Sequence, residues 1–434
     1  MIDVNIARNK IAALDTRRYT GRVVKIVGLA VEATAPSARI GDIVTIHRPR
    51  GDKPVEAEIV GFRDGLAQLM PYGALDGAGL GCAVRYTDRT LMIPVGEAFL
   101  GRVLNALGQP MDDGGVPDPS AHYPADSEPR NPLKRDRIHD AMPLGVRAID
   151  GTLTVGVGQR IGIFAGSGVG KSTLLGMMAR RASADVNVIV LIGERGREVL
   201  DFVERDLGEG LAKSVLIVAT SDQPALLRLK SALVGTAMAE YFRDQGKNVL
   251  LMMDSLTRFA MAQREIGMAG GEPPVSRGYP PSVYTMMPRL LERAGTSDKG
   301  SITGIYTVLV EGDDLNEPVA DTARGILDGH IVLSRQIANT RYPPIDVLGS
   351  VSRVMPDVVT EEHMEAAREM RSMIATYGEA EDLINIGAYK EGANADIDRA
   401  VRLRPKITEF LRQGATEEAA FDDTLTRLQQ IAGE

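Results

Sequence analysis

A chain of 434 residues with 44% hydrophobic side chains is long enough for two or three domains with buried cores. Its single cysteine, Cys82, excludes an internal disulfide and points to a reducing cytoplasm, and a net charge of −8 with dispersed Lys and Arg argues against a nucleic-acid partner. No apolar run approaches the roughly 20 residues of a membrane span, and Arg8 and Lys10 interrupt the apolar pattern of the N-terminus, so neither a span nor a signal peptide is expected. In residues 1–18, Ile6, Lys10, Ala13, Leu14 and Arg17 fall at helical spacing. They predict a short amphipathic helix, too short to be stable alone, that orders on a partner.

Residues 19–93 read as β structure. Short runs such as "GRVVKIVGLAVEAT" and "GDIVTIHR" are separated by Gly, Pro and Asp at hairpin-like spacing, and a small barrel closes them with few open edges. Residues 94–145 are rich in Pro, Asp and Gly and are expected to be a linker wrapped on the surface. Over 146–355 apolar runs ("VNVIVLIG", "SVLIVAT", "NVLLMMD", "SITGIYTVLV", "HIVLS") alternate with helical patterns. That order predicts an α/β domain with a mostly parallel sheet buried on both faces. Residues 356–434 carry helical periodicity only and predict a C-terminal helical domain.

The stretch "GIFAGSGVGKSTLLG", 162–176, joins an apolar strand to a helical pattern through a Gly-rich loop. Free backbone N–H groups at a helix start favour phosphate. The loop runs Ala165, Gly166, Ser167, Gly168, Val169, Gly170, Lys171, Ser172, Thr173. Lys171 can reach the β- and γ-phosphates of a nucleoside triphosphate, and Ser172 can bind Mg²⁺. Ala165 stands where the strict motif has Gly. Its methyl is tolerable if the backbone there is ordinary.

Three further segments carry chemistry. Asp254 ends the strand "NVLLMMD" and is placed to hold the Mg²⁺ shell; alone, it reads equally well as a cap on the next helix. Glu194 and Arg195 follow another buried strand, at the sheet edge where ligands bind. Glu194 is placed to polarise the attacking water, and Arg195 to pair with the γ-phosphate or with Glu194; by local signal alone an exposed Glu–Arg turn is the commoner case. Tyr342, before two prolines, is held on a stiff segment and can stack on adenine or sit in a hydrophobic seam. Arg353 in "SVSR" reads as an arginine finger or as a solvated charge.

Together with "IGERGREV", "ATSDQPALLRLK", "GYPPSV", "LLERAGTSDKGSITGIYTVLVEGDD" and "SVSRVMPD", these motifs resemble the rotary-type ATPase family from about residue 19 to 430. Within it they are most similar to the flagellum-specific ATPases of type III protein export, where Ala at position 165 is ordinary. The resemblance implies a β-barrel, a phosphate-loop nucleotide domain and a helical domain. It implies hydrolysis of ATP with Mg²⁺ by a cytoplasmic homohexamer, peripheral to the membrane at most. Lys171 would hold phosphate, Ser172 and Asp254 the metal, Glu194 the water, Arg195 the γ-phosphate region, and Tyr342 the adenine. Arg353 would serve a neighbour's site. The implied partners are a regulatory stalk protein on residues 1–18, a central shaft protein in the hexamer channel, the export gate, and export substrates with their chaperones. "GGEPPVSRGYPPSV" and "EGDDLNEPVAD" would face that channel.

Three rivals remain at this point. One is the catalytic subunit of a proton-driven synthase, against which "SVSR" beside a full catalytic set favours a homohexamer. Another is the virulence injectisome ATPase, which shares the machine. The third is a hexameric RNA translocase of the transcription-termination type. Residues 19–93 hold nine Lys or Arg against eight Asp or Glu and no Trp, which disfavours an RNA-binding surface. A non-catalytic synthase subunit is excluded by the intact Lys171, Glu194 and Asp254 set.

Overall fold

A computed structural model describes residues 20–35, 38–49, 53–310, 314 and 316–434. The helix expected over 1–18, and with it the stalk-binding reading, lies outside the described residues. So do positions 311–313 and 315 of the expected channel loop. The chain forms two compact units, residues 1–91 with 269–271, and residues 92–268 with 272–434.

In the first unit six strands close a barrel: β1 (Thr20–Val27), β2 (Ala30–Ala33), β3 (Ile43–His47), β4 (Val55–Arg63), β5 (Leu66–Pro71) and β6 (Ala83–Tyr86), in the order β1-β2-β5-β4-β3-β6. Every neighbouring pair is antiparallel. Alternating side chains fill its interior, among them Val23, Val44, Ile46, Ile59, Leu69 and Val84. The turn between β4 and β5 is Asp64-Gly65, both at positive φ (50° and 77°), the pair that a two-residue hairpin turn favours.

In the second unit the main sheet runs β17 (Ile345–Ser352), β16 (Gly329–Leu333), β10 (Arg160–Ala165), β15 (Ser301–Leu309), β13 (Asn248–Asp254), β11 (Val186–Glu194), β12 (Ser214–Thr220), β8 (Arg102–Asn105). All these neighbours pair parallel except β16 with β17. The strands from β10 to β12 are buried almost throughout, as their unbroken apolar runs require. Their register brings the ends of β10, β11, β13 and β15 to one edge: Ala165 pairs with Leu309, and Leu191 with Asp254.

The segment 94–145 departs from the linker expectation. Arg102–Asn105 is the edge strand of the main sheet, and Ala121–Pro124 (β9) pairs with Met92–Val95 (β7). These strands have four residues each, too short to show periodicity among so many turn formers. Asp112 secures the edge by accepting from the Arg102 side chain and from the Val103 N–H at 2.8 Å.

The helices Glu361–Asn385, Ala395–Leu411 and Phe421–Gly433 pack around the short helix Arg147–Thr152. One apolar core runs through both parts, joining Ile149 and Ile161 to Met370, Phe410 and Leu428. Gly151 lies so close to Phe410 that a Cβ there would sit 2.9 Å from the ring.

Candidate nucleotide site

The phosphate loop leaves β10 at Ala165 and enters the helix Lys171–Arg181. Ala165 is buried, at ordinary φ, and its carbonyl accepts from Val310 N at 3.0 Å. The Ala therefore continues the strand, which removes any need for Gly. Gly168 and Gly170 stand at φ 79° and 88°, where a side chain is strained. Val169 is buried and anchors the loop, while Ser167 and Ser172 are exposed.

Lys171 reaches across the sheet edge to Asp254, with Nζ 2.5 Å from Oδ1. Thr307, on the adjacent strand β15, donates to the same Oδ1 at 2.8 Å. The Asp254 carboxylate thus faces the loop and does not cap the helix Leu256–Ala269. Glu194 is the second carboxylate of this edge. Burial and the nearby Asp254 charge push its pKa up to about 7, against the lowering effect of Lys171 and Arg258.

Arg258 is the cation that pairs with Glu194: its Nε lies 3.5 Å from Glu194 Oε1, and its guanidinium donates to Gly193 O. Gly193 makes that approach possible, because a Cβ there would sit 2.9 Å from Arg258 Cδ. Arg195, placed by sequence beside Glu194 or the phosphate, turns instead to Glu198 at 3.5 Å and is 69% exposed. Lys171, Ser172, Thr173, Glu194, Arg195, Arg258 and Arg335 line one cleft of 580 Å³ with Gly166, Ser167, Gly168 and Gly170. Four positive side chains over a nest of loop N–H groups suit a polyanion.

Tyr342 and Arg353 lie off this cleft. Tyr342 sits on the far side of Gly170, with its hydroxyl donating to Gly170 O at 3.1 Å. Burial, then the charge of Asp206, hold its phenol protonated well above the usual range. Arg353 is exposed at the opposite edge of the sheet: its backbone N donates to Asp328 O and its guanidinium to Leu327 O, both at 3.0 Å. Asp328 in turn binds Arg160, the first residue of β10. Five residues separate Arg160 from the phosphate loop, about 16 Å of strand.

Among the described residues no group of three or more His, Cys, Asp and Glu forms a cage for a metal. The donor set fits Mg²⁺ held largely by substrate and water, which asks of the protein only one or two oxygens such as Asp254 and Ser172.

Residues 145–352 match the nucleotide-binding domain of the ATP synthase alpha/beta family, and residues 359–430 match the C-terminal domain of the type III secretion ATPase EscN. The chain is 51% identical over 422 residues to a flagellum-specific ATP synthase of Bacillus subtilis, covering 96% of both chains. It belongs to the ATP synthase alpha/beta family. Within that family it falls among the flagellar and type III secretion ATPases, and it is an ATP-hydrolysing enzyme. The assembled EscN ATPase of enteropathogenic E. coli superposes with a TM-score of 0.90 at 47% identity, covering 95% of this chain and all of that one. EscN in complex with its central stalk EscO gives 0.88.

For an ATPase of this family the sequence reading missed three side chains of the site: Thr307, Arg258 and Arg335, whose guanidinium lies 3.5 Å from Ser167 O. Arg258 carried no usable signal, since four residues after Asp254 on a helix it reads as a surface charge. Thr307 and Arg335 are brought in by neighbouring strands, and no local pattern marks them.

Proposed function

We propose that this chain energises export of flagellar proteins, working as a homohexamer on the cytoplasmic face of the export apparatus. The observation that carries the reading is the partly buried Glu194 carboxylate beside Lys171, Asp254 and Arg258 at the mouth of a phosphate loop. Attack of water on a γ-phosphate needs positioning and charge neutralisation more than covalent help. Loop N–H groups and Lys171 bind the phosphates. Glu194, ionised, accepts a hydrogen bond from the attacking water and aims its oxygen at phosphorus. Arg258 keeps that carboxylate oriented. Mg²⁺, held by Ser172 and Asp254, would supply charge neutralisation on the phosphate oxygens. Tyr342 serves the adenine. Arg195 and Arg335 add positive charge at the mouth, and Arg353 completes a neighbour's site.

The stalk-bound state of EscN supports a central stalk partner, and no described helix is long and apolar enough to cross a membrane. The export gate and substrate–chaperone complexes follow from the same family reading. A regulatory partner on residues 1–18 is tested by deleting residues 2–18: ATPase activity stays and pull-down of the partner is lost.

Glu194→Gln tests the chemistry. It keeps Mg-ATP binding and lowers hydrolysis 10²-fold or more, the range of positioned acid–base groups; undiminished turnover assigns the water to another residue. Lys171→Ala loses triphosphate binding in a folded protein. A second reading, the injectisome ATPase, is favoured by the EscN superposition. Deleting the gene separates them: loss of filament export and motility supports the flagellar role, whereas loss of effector secretion with intact motility supports the other.

A further inference from the structure

The loop after the helix Ala395–Leu411 is tied to the nucleotide site through one buried amide. Gln413 is 1% exposed and both polar atoms of its side chain are used. Its Oε1 accepts from Arg147 N at 2.9 Å, and its Nε2 donates to Gly145 O at 2.9 Å and to Glu417 O at 3.1 Å. Its backbone N–H donates to the carbonyl of Tyr342 at 2.8 Å. Tyr342 in turn rests on Gly170 of the phosphate loop: its hydroxyl binds the Gly170 carbonyl, and its ring leaves no room for a Cβ there, at 2.7 Å. A second tie holds the same loop, since Arg180, on the helix that the phosphate loop begins, donates to Ala415 O at 2.7 Å.

We propose that Gln413 is a positioning residue: it sets Tyr342 at the rim of the phosphate loop and so raises affinity for nucleotides that carry a base. The proposal rests on the ATP-site reading and on Tyr342 as the base platform. An amide with two donors and an acceptor can bridge a carbonyl on one segment and an N–H on another at fixed spacing. Gln413 does so between residues 145–147 and its own loop, which fixes the direction of its backbone N–H and hence the place of Tyr342. The phosphates are held by different atoms, those of residues 166–173. Base binding and phosphate binding therefore separate on mutation.

The test compares a base-bearing with a base-free ligand. Mg-ADP and Mg-pyrophosphate are titrated calorimetrically into the full chain, wild type and Q413A, Y342A and the double variant. Q413A weakens ADP binding about tenfold, within the loss expected when a stacked base is released, and leaves pyrophosphate unchanged. In the Y342A background Q413A costs nothing more, because the two act in series. Wild-type ADP affinity in folded Q413A overturns the proposal. So does equal weakening of both ligands, or additive losses in the double variant. Should Q413A fail to fold, Q413M keeps the side-chain volume, removes both polar atoms and gives the same readout. The underlying site reading fails differently: K171A would then bind pyrophosphate as well as the wild type.

Discussion

Glu194 draws its acid–base character from its neighbours. Burial first, and then Asp254, raise its pKa to about 7, while Lys171 and Arg258 work in the other direction. The carboxylate must be ionised to accept from water, so kcat/KM rises with pH through about 7 and levels off above it. Arg258→Met removes a cation that favours the charged form, so the acidic limb moves to higher pH and activity at pH 7 falls. A pH profile of kcat/KM checks this, and an unmoved limb in Arg258→Met excludes Arg258 as the partner that matters. The main residues of this site were legible: Asp254 and Glu194 each stand where a buried strand ends, and Lys171 and Ser172 open the helix after a Gly-rich loop. Arg258 was not. On a helix an Arg four residues past an Asp reads as a surface charge, and only the bare Gly193 marks the space it enters. Arg195 misled for the converse reason, since adjacency in sequence to Glu194 does not bring two strand-end side chains together; Arg195 pairs with Glu198.

At the scale of elements, two glycines separate turn demand from helix cost. Gly170, at φ 88° and against Tyr342, tolerates no side chain. Gly170→Ala costs about 1–3 kcal/mol for the left-handed backbone alone and displaces Tyr342, so thermal stability and nucleotide affinity both fall. Gly378, exposed in the middle of the helix Glu361–Asn385 with no atom near its would-be Cβ, behaves oppositely. Gly378→Ala stabilises by roughly 0.5–1 kcal/mol, because helical Gly gives up more chain entropy than Ala. Thermal unfolding of the two variants reads both signs, and a Gly170→Ala protein that melts no lower than the wild type refutes the backbone argument. The same scale shows where sequence patterning ends. Long apolar runs gave the buried parallel strands, because burial on both faces leaves no polar alternation to misread. The edge strand Arg102–Asn105 was hidden, since four residues with one fully buried side chain resemble a loop, and its pairing with β12 is set more than 100 positions away.

For the whole molecule, the decisive distance is that between Arg353 and its own phosphate loop, at opposite edges of the sheet. If Arg353 serves as a finger, it acts from there only on another copy. Arg353→Ala and Lys171→Ala are each inactive as pure assemblies, and mixing them restores part of the activity, because some interfaces then carry both intact residues. Co-assembly without recovery, or full activity of Arg353→Ala alone, removes the finger role. Another property follows from the seat of Arg147. Its guanidinium binds Phe410 O and Arg412 O and pairs with Glu417, all 263 to 270 residues later in the chain. A ribosome adding about 5–20 residues per second takes roughly 14–54 s to cover that interval. During that interval the apolar strands between residues 160 and 352 emerge one after another, before the helices that complete their core are made. The nascent chain is therefore a natural client for a holding chaperone, and production slowed over residues 356–434 costs soluble protein before it costs activity per molecule.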